Sequence, residues 1–475
     1  MSESRYLDVL KARILVYDGA MGTSIQALGL SADDFGGPAL QGCNDHLALS
    51  RPDVIRDIHA AFLEVGCDVV ETDSFRANRL TLAEYGLGEA VVEINRAAAR
   101  VAREVADSFS TFDRPRFVAG SIGPSGYLPS TSDPTLGHVT YDELADAFRE
   151  QAAGLIDGGV DVLLIETGQD ILELKAAVNG VRRALSEAGV WRPIQVQPTL
   201  DTSGRMLLGT DIGAALVTLE ALRVDVIGLN CSTGPEHMRQ PIRYLCENTS
   251  LPLSVIPNAG IPHNVDGVAV YRLAPEALAE AHDDFVRRFG VNIVGGCCGT
   301  THEHMRHVVE RVWGAEPLAR QASHVPRVSS AMQAFDMAQH PAPTLIGERV
   351  NSQGSRRVKR LLIEENFEEI VGVAREQVEG GAHLLDVCTA LTERQDEAEQ
   401  MRTLVKLLAQ GVPAPLVIDT IEVDVVEAAL KQNPGRAIIN SINLEGGRGR
   451  IDAVLPLAVE HGAAVIALTI DEEGM

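Results

Sequence analysis

The sequence predicts an α/β fold: a (β/α)8 barrel over residues 1–315, then the first part of a second (β/α) barrel over 344–475. Three observations point there. Short apolar runs recur along the chain, each followed by a stretch with helical spacing. The runs are continuous in Val, Ile and Leu rather than alternating, as parallel strands buried on both faces are. Aromatics make up only 4% of residues while Ala, Val, Leu, Ile and Gly abound, which favours close-packed α/β layers over an all-β fold.

In order, the predicted strands are 14–18, 68–72, 116–121, 161–166, 194–198, 225–230, 253–257 and 291–296. Helical patterns fall between them at 53–65, 89–107, 141–157, 170–187, 211–222, 235–247, 275–288 and 302–312. Eight strand–helix pairs are the count of a TIM barrel. An open doubly wound sheet is the competing layout, but the first turn, Asp18-Gly-Ala-Met-Gly-Thr, lacks the GxGxxG dinucleotide pattern. Residues 316–343, rich in Pro, Ser, Ala and Gln, read as a linker. Five further strands follow at 344–348, 383–388, 415–419, 436–440 and 464–469, with helices near 367–380, 396–410, 423–432 and 451–461. A second barrel would need three more strands, so open sheet edges are expected.

Composition removes several function classes. A formal charge of −25 argues against a nucleic-acid surface, which needs concentrated Lys and Arg. No run approaches the roughly 18–20 apolar residues that cross a bilayer, and the first residues lack a signal-peptide core. The expectation is a cytoplasmic chain with neither a membrane nor a nucleic-acid partner. Seven cysteines, an odd number without a secretory signal, argue for reduced thiols.

The polar residues that could do chemistry sit at strand ends. Asp18, the Glu71-Thr72-Asp73 run, Glu166, Asn230-Cys231 and Cys297-Cys298 all follow apolar runs, and in a barrel those ends share one mouth. Cys297 and Cys298 stand in a glycine-rich turn, Gly295-Gly-Cys-Cys-Gly-Thr, which lets the backbone bend both thiols toward one ion. With Cys231 they form a three-thiolate set suited to Zn²⁺, leaving the fourth position open as catalytic sites do. Three thiolates on Zn²⁺ carry a net negative charge. That lowers the pKa of a bound substrate thiol without quenching its nucleophilicity. The alternative is three buried cysteines with no metal. Cys43, Cys67, Cys246 and Cys388 are isolated and read as small buried apolar groups.

Asp18 could hold an ammonium, with backbone N–H groups of its small-residue turn left for a carboxylate; the alternative is a helix cap. Glu166 follows four apolar residues, where a carboxylate is costly unless partnered. Thr72 and Asp73 read equally as site residues or a solvated loop, and His59, on a helix with apolar neighbours, as structural.

Five motifs together resemble the homocysteine S-methyltransferase domain across residues 1–315. They are Asp18-Gly-Ala-Met-Gly-Thr, Glu71-Thr-Asp-Ser-Phe, Ile165-Glu-Thr, Gly228-Leu-Asn-Cys231 and Gly295-Gly-Cys-Cys-Gly-Thr. The resemblance implies zinc on Cys231, Cys297 and Cys298, with homocysteine sulfur on the zinc. It implies substrate contacts from Asp18 and Glu166 to the ammonium, and from Ala20, Met21 and Thr72 to the carboxylate, with Asn230 also in the substrate site.

Beyond the linker, Ile346-Gly-Glu-Arg-Val-Asn351, Leu385-Asp386-Val, Ile418-Asp419-Thr and Ile439-Asn440-Ser-Ile-Asn443 resemble the pterin-binding barrel of the cobalamin-dependent methionine synthases. That resemblance implies that Asn351, Asp386, Asp419 and Asn440 contact the pterin of methyltetrahydrofolate, whose NH–C(NH₂)–N edge pairs with carboxylates and amides. No Asp-x-His-x-x-Gly signature occurs in the chain, so methylcobalamin is expected on a cobalamin-binding module absent from it. The implied activity is that of a 5-methyltetrahydrofolate–homocysteine S-methyltransferase. The rivals are a cobalamin-independent homocysteine methyltransferase using betaine or S-methylmethionine, and a non-catalytic folate- or zinc-binding fragment.

Overall fold

The structure, a computed structural model, describes residues 4–265, 268–322 and 325–474. Eight parallel strands form the first unit: β1 (Leu15–Val16), β2 (Val69–Glu71), β3 (Phe117–Ile122), β4 (Val162–Gly168), β5 (Ile194–Pro198), β6 (Val226–Asn230), β7 (Leu253–Ile256) and β8 (Ile293–Val294). Each pairs with its neighbour in sequence from β2 to β8, and β8 pairs with β1 through Leu15–Ile293 and Val16–Val294. A single parallel bridge, Tyr17–Val69, brings β1 against β2 and closes the ring. The TIM-type barrel is therefore as predicted.

The strands are apolar on both faces because both are covered. Outward residues such as Val70, Val118, Leu163, Val196 and Ile227 pack with the helices in the main core. Inward residues near the strand starts, among them Leu15, Val69, Phe117, Val162 and Val226, pack with Tyr6 and Leu10. These two belong to a helix, Arg5–Ala12, that no sequence signal singled out. It lies across the N-terminal ends of the strands and plugs the barrel floor. Inside, the Tyr6 and Tyr17 hydroxyls lie 2.7 Å apart and each is 3.0 Å from Gln195 Oε1, a triad in which one hydroxyl donates to the other and the second donates to Gln195.

Observed strands stop short of several predicted ends. The run 291–296 shrinks to Ile293–Val294 and 14–18 to Leu15–Val16, because the residues beyond leave the ladder to build turns at the mouth. A hairpin, His263–Val265 with Val268–Val270, follows β7 and was not predicted. The segment 316–343 also carries a hairpin, Arg327–Ser329 with Ala334–Asp336. Its Val328 packs on Leu384, Val417 and Ile438, so this strap is part of the second unit's core.

The second unit is a five-stranded parallel sheet in sequential order: β9 (Ile346–Asn351), β10 (Leu384–Cys388), β11 (Leu416–Asp419), β12 (Ile438–Ile442) and β13 (Ala464–Ala467). It has its own core and two open edges, with Ile346 and Leu468 each 42% exposed there.

The two units are joined by more than the strap. Lys175, on helix Ile171–Ala188 of the barrel, is fully buried and donates to the carbonyls of Asn433 at 2.7 Å and Gly435 at 3.3 Å. Around it, Lys431 pairs with Asp142, Arg183 with Glu460, and the Tyr141 and His461 rings lie 5.3 Å apart. Among the described residues no helix is long and apolar enough to cross a membrane.

Candidate metal centre and substrate pocket

Cys231 follows β6 and the Cys297–Cys298 pair follows β8, so the ring brings residues far apart in sequence to one mouth. Cys231 and Ser232 both take φ of 59°, a left-handed conformation that non-glycine residues adopt at a cost. That kink turns the thiol inward while its N–H still bonds Ile256 O at 3.1 Å. The second arm depends on its glycines. A Cβ on Gly296 would lie 2.4 Å from Thr300 Oγ1, and one on Gly299, at φ of 79°, would lie 2.2 Å from the Tyr271 ring. Thr300 locks the turn by donating from Oγ1 to Cys297 O at 2.7 Å.

The result is a triangle of sulfurs. Cys298 Sγ lies 3.9 Å from Cys231 Sγ and 4.0 Å from Cys297 Sγ, and all three fall within 4.8 Å of one another. Disulfide sulfurs sit about 2.05 Å apart, so these are free thiols. Tetrahedral zinc with bonds of about 2.3 Å sets sulfurs about 3.8 Å apart, and the triangle matches that spacing. Hydrogen bonds from Cys231 and then Cys297 hold the Cys298 thiol below its ordinary value, while the bonds with Cys231 and then Cys298 push Cys297 well up. Tyr271 adds a hydrogen bond to Cys298 from the side.

A cavity of about 400 Å³ opens from the triangle, lined also by Glu71, Thr72, Glu166 and the helix that begins at Met21. Two carboxyls line it, the buried Glu166 and the half-buried Glu71, and the buried Asp18 stands behind Glu71. Glu166 accepts from Ser121 Oγ at 2.5 Å and from Asn230 Nδ2 at 2.9 Å. Burial pushes it up to about 7 despite the Ser121 bond. Asp18 Oδ2 accepts from the Glu71 N–H at 3.1 Å, while Asp18 Oδ1 and Glu71 Oε1 are shielded from water without a partner. Desolvation, then charge repulsion within the set, pushes both of these carboxyls well up.

Each residue singled out from sequence can now be placed. Asp18, Thr72, Asp73 and Glu166 are all buried, so the solvated-loop reading of Thr72 and Asp73 does not hold. Thr72 Oγ1 accepts from the Ser121 N–H at 2.9 Å and shares a 2.6 Å bond with Ser74, whose own hydroxyl donates to Ser121 O. The Thr72 proton is therefore directed at Ser74. The Ala20 N–H is taken by Thr300, at 3.2 Å to Oγ1, and does not stand free for a ligand. Met21 and Gly22 instead head the helix Met21–Ala27, which has no side-chain cap, so their N–H groups have no intrahelical acceptor. Asn230 is fully buried beneath the cavity, not on its wall. It braces Glu166, donates to Thr167 Oγ1 at 2.8 Å and accepts from the Thr167 N–H at 2.8 Å. His59 is buried on its helix, away from the thiols, in keeping with a structural role.

In the second unit the four polar residues at strand ends also meet. Asn351 Nδ2 donates to Asp386 Oδ2 at 2.7 Å and to Asp419 Oδ2 at 2.8 Å, and Asn440 Nδ2 reaches Asp386 Oδ1 at 3.5 Å. Burial raises both carboxyls above their ordinary range.

The profile of the homocysteine S-methyltransferase family matches residues 15–312, the whole barrel and every residue of the sulfur triangle. The chain belongs to that family. A second profile, of pterin binding enzymes, matches residues 347–475. Methionine synthase of Mycobacterium tuberculosis is 45% identical over 471 residues, covering 98% of this chain and 39% of that protein. The Mycobacterium leprae methionine synthase is 44% identical over 476 residues with the same coverage. The chain thus spans about two-fifths of the length of these relatives. Among solved structures, the metallated form of the Escherichia coli homocysteine methyltransferase MmuM aligns with a TM-score of 0.52 at 24% identity, covering 65% of this chain and 99% of that one. Its oxidised form aligns at 0.51 and 23%, covering 63% and 96%. These two show a shared fold. Within the homocysteine S-methyltransferase barrel, the sequence marked Glu71 only within the Glu71-Thr72-Asp73 run at a strand end, and did not mark the supports Ser121 and Thr300. Their signal was present, as polar residues interrupting apolar strand ends.

Proposed function

We propose that this chain is the homocysteine-activating barrel, with part of the folate-binding barrel, of a cobalamin-dependent methionine synthase. Homocysteine would take its methyl group from methylcobalamin carried on a separate module, with methyltetrahydrofolate as ultimate donor. The observation that carries this reading is the sulfur triangle at the head of a cavity lined by the Glu71 and Glu166 carboxyls. Cys231, Cys297 and Cys298 would hold zinc, which supplies enough Lewis acidity for a substrate thiol to lose its proton while its sulfur stays electron-rich. Glu166 and Asp18 take the substrate ammonium, and the N–H groups of Met21 and Gly22 take its carboxylate. The amino-acid end is thereby fixed away from the thiols, and the sulfur is directed at the triangle. The cavity opens at the C-terminal ends of the strands, so a methyl donor would approach from that side.

Purified, reduced protein should contain about one zinc per chain and form methionine from homocysteine and free methylcobalamin. Absence of the metal, or a rate no higher than that of Cys298→Ala, overturns the proposal.

Asn230 acts through Glu166. An Asn230→Asp substitution replaces the donor with a second carboxyl facing Glu166. Losing a hydrogen bond to a charged group is worth about 1.5–3 kcal/mol, so KM for homocysteine should rise roughly 10- to 100-fold with zinc content unchanged. Zinc loss in parallel would place Asn230 in the metal site instead.

In the second unit Asn351, Asp386, Asp419 and Asn440 would pair with the pterin edge. Asp386→Asn removes the carboxylate acceptor, and equilibrium dialysis should show methyltetrahydrofolate bound about tenfold more weakly or worse. Unchanged binding rules out this residue as a pterin contact.

A further inference from the structure

The geometry points to Glu71 as a specificity-determining residue that, with Asp18 and Glu166, recognises the primary ammonium of the substrate. This rests on the amino-acid-thiol reading of the cavity given above. An –NH₃⁺ group has three N–H donors and no acceptor, so a selective site offers three acceptors from different directions. Glu166 has half of its acceptor capacity in use, since each of its oxygens already takes one donor, Ser121 at 2.5 Å and Asn230 at 2.9 Å. Asp18 Oδ1 and Glu71 Oε1 are the two carboxyl oxygens of this set with no partner among the described residues, and both are sealed from water.

These two atoms come from neighbouring strand ends, β1 and β2. The Glu71 backbone N–H donates to Asp18 Oδ2 at 3.1 Å, which ties the Asp18 carboxyl to the end of β2 that carries Glu71. Glu71 and Glu166 both line the cavity that holds the thiols. Among the described residues, no Lys or Arg forms an ion pair with Asp18, Glu71 or Glu166. Buried, unpaired acceptors are unfavourable unless something supplies donors. A cation in the cavity beside Glu71 would supply the donors that its carboxyl lacks. It also offsets the burial that pushes these carboxyls up. A thiol without an amino group gains none of this.

The test is calorimetric binding of two thiols, homocysteine and 4-mercaptobutyrate, to the zinc-loaded chain. The second is the first without its amino group. Wild-type protein should prefer homocysteine. Glu71→Gln, which keeps shape and removes charge, should weaken homocysteine at least about tenfold and leave 4-mercaptobutyrate within about twofold, with zinc content unchanged. Glu71→Asp, keeping charge on a shorter arm, should restore part of the preference and serves as the comparison if Glu71→Gln does not fold. Equal weakening of both thiols, or no weakening of either, overturns the role of Glu71. Glu166→Gln separates the two levels. If it abolishes the preference while Glu71→Gln does not, only the Glu71 assignment falls. If wild-type protein binds both thiols equally, the amino-acid-thiol reading of the cavity falls with it.

Discussion

Cys298→Ala should leave a folded protein that retains no zinc on dialysis and transfers methyl groups more than about 100-fold slower than wild type. Residues that merely orient a metal ligand cost roughly 10- to 100-fold when removed, so loss of one of three ligands should exceed that. Cys298 is also the centre of the triangle, 3.9 and 4.0 Å from the other two sulfurs and the one whose thiol they hold below its ordinary value. Metal analysis by mass spectrometry and a methionine assay read the two effects. Cys67→Ala is the matched control. Its thiol is buried in the main core and is not part of the triangle, and burial pushes its pKa well up, so it should keep both zinc and activity. Zinc retained by Cys298→Ala at wild-type stoichiometry would remove the triangle from the chemistry.

Lys175→Met should uncouple the two units and erase a pH dependence of their docking. Burial pushes the Lys175 ammonium down from 10.5 to about 7. A neutral amine still has two N–H donors, enough for the carbonyls of Asn433 and Gly435. Between pH 7 and 10.5 the unfolded lysine binds a proton that the folded one does not. Stability therefore rises with pH across that window, and the gain is lost as pH falls toward the folded value. The facing groups do not cancel this. His461 is buried and pushed well below its ordinary value, first by desolvation and then by Lys175, Lys431 and Arg183, so it stays neutral throughout. Lys431 and Arg183 keep their charges, paired with Asp142 and Glu460. Methionine fills the space but leaves Asn433 O without its donor, at a cost of about 1–3 kcal/mol; Gly435 O still accepts from Asn433 Nδ2 at 2.8 Å. Urea unfolding at pH 7 and pH 9 should show the wild type gaining stability and Lys175→Met flat. A parallel gain in both proteins would assign the pH dependence elsewhere.

Much of this was legible because strand ends in a barrel converge whatever the loops do. Continuous Val and Ile runs marked the strands, and the polar residues that ended them, Asp18, Glu166, Cys231, Cys297 and Cys298, line or support one cavity. What escaped was set by contacts between residues remote in sequence. Thr300 reaches across to take the Ala20 N–H, so a turn that looked free for a ligand is not. Asn230 sits beside a metal ligand in sequence, yet its side chain turns downward to Glu166. Glu71 looked like any acidic residue after a strand, and only its unpartnered oxygen on a residue lining the cavity sets it apart. The helix Arg5–Ala12 and the strap hairpin Arg327–Asp336 carry weak local patterns because their partners, the barrel floor and the second sheet, define them.

The plugged floor of the barrel has a kinetic consequence. With Tyr6, Tyr17 and Gln195 bonded across the interior below the cavity, traffic through the barrel axis is closed at that end. On the proposed chemistry, thiol and methyl donor must then use the same doorway. A donor as bulky as a corrin would stopper that doorway once seated. The small thiol must be aboard first, and the methylated product can leave only after the donor has backed away. On that chemistry, a one-door vestibule would impose a compulsory order of arrival and departure.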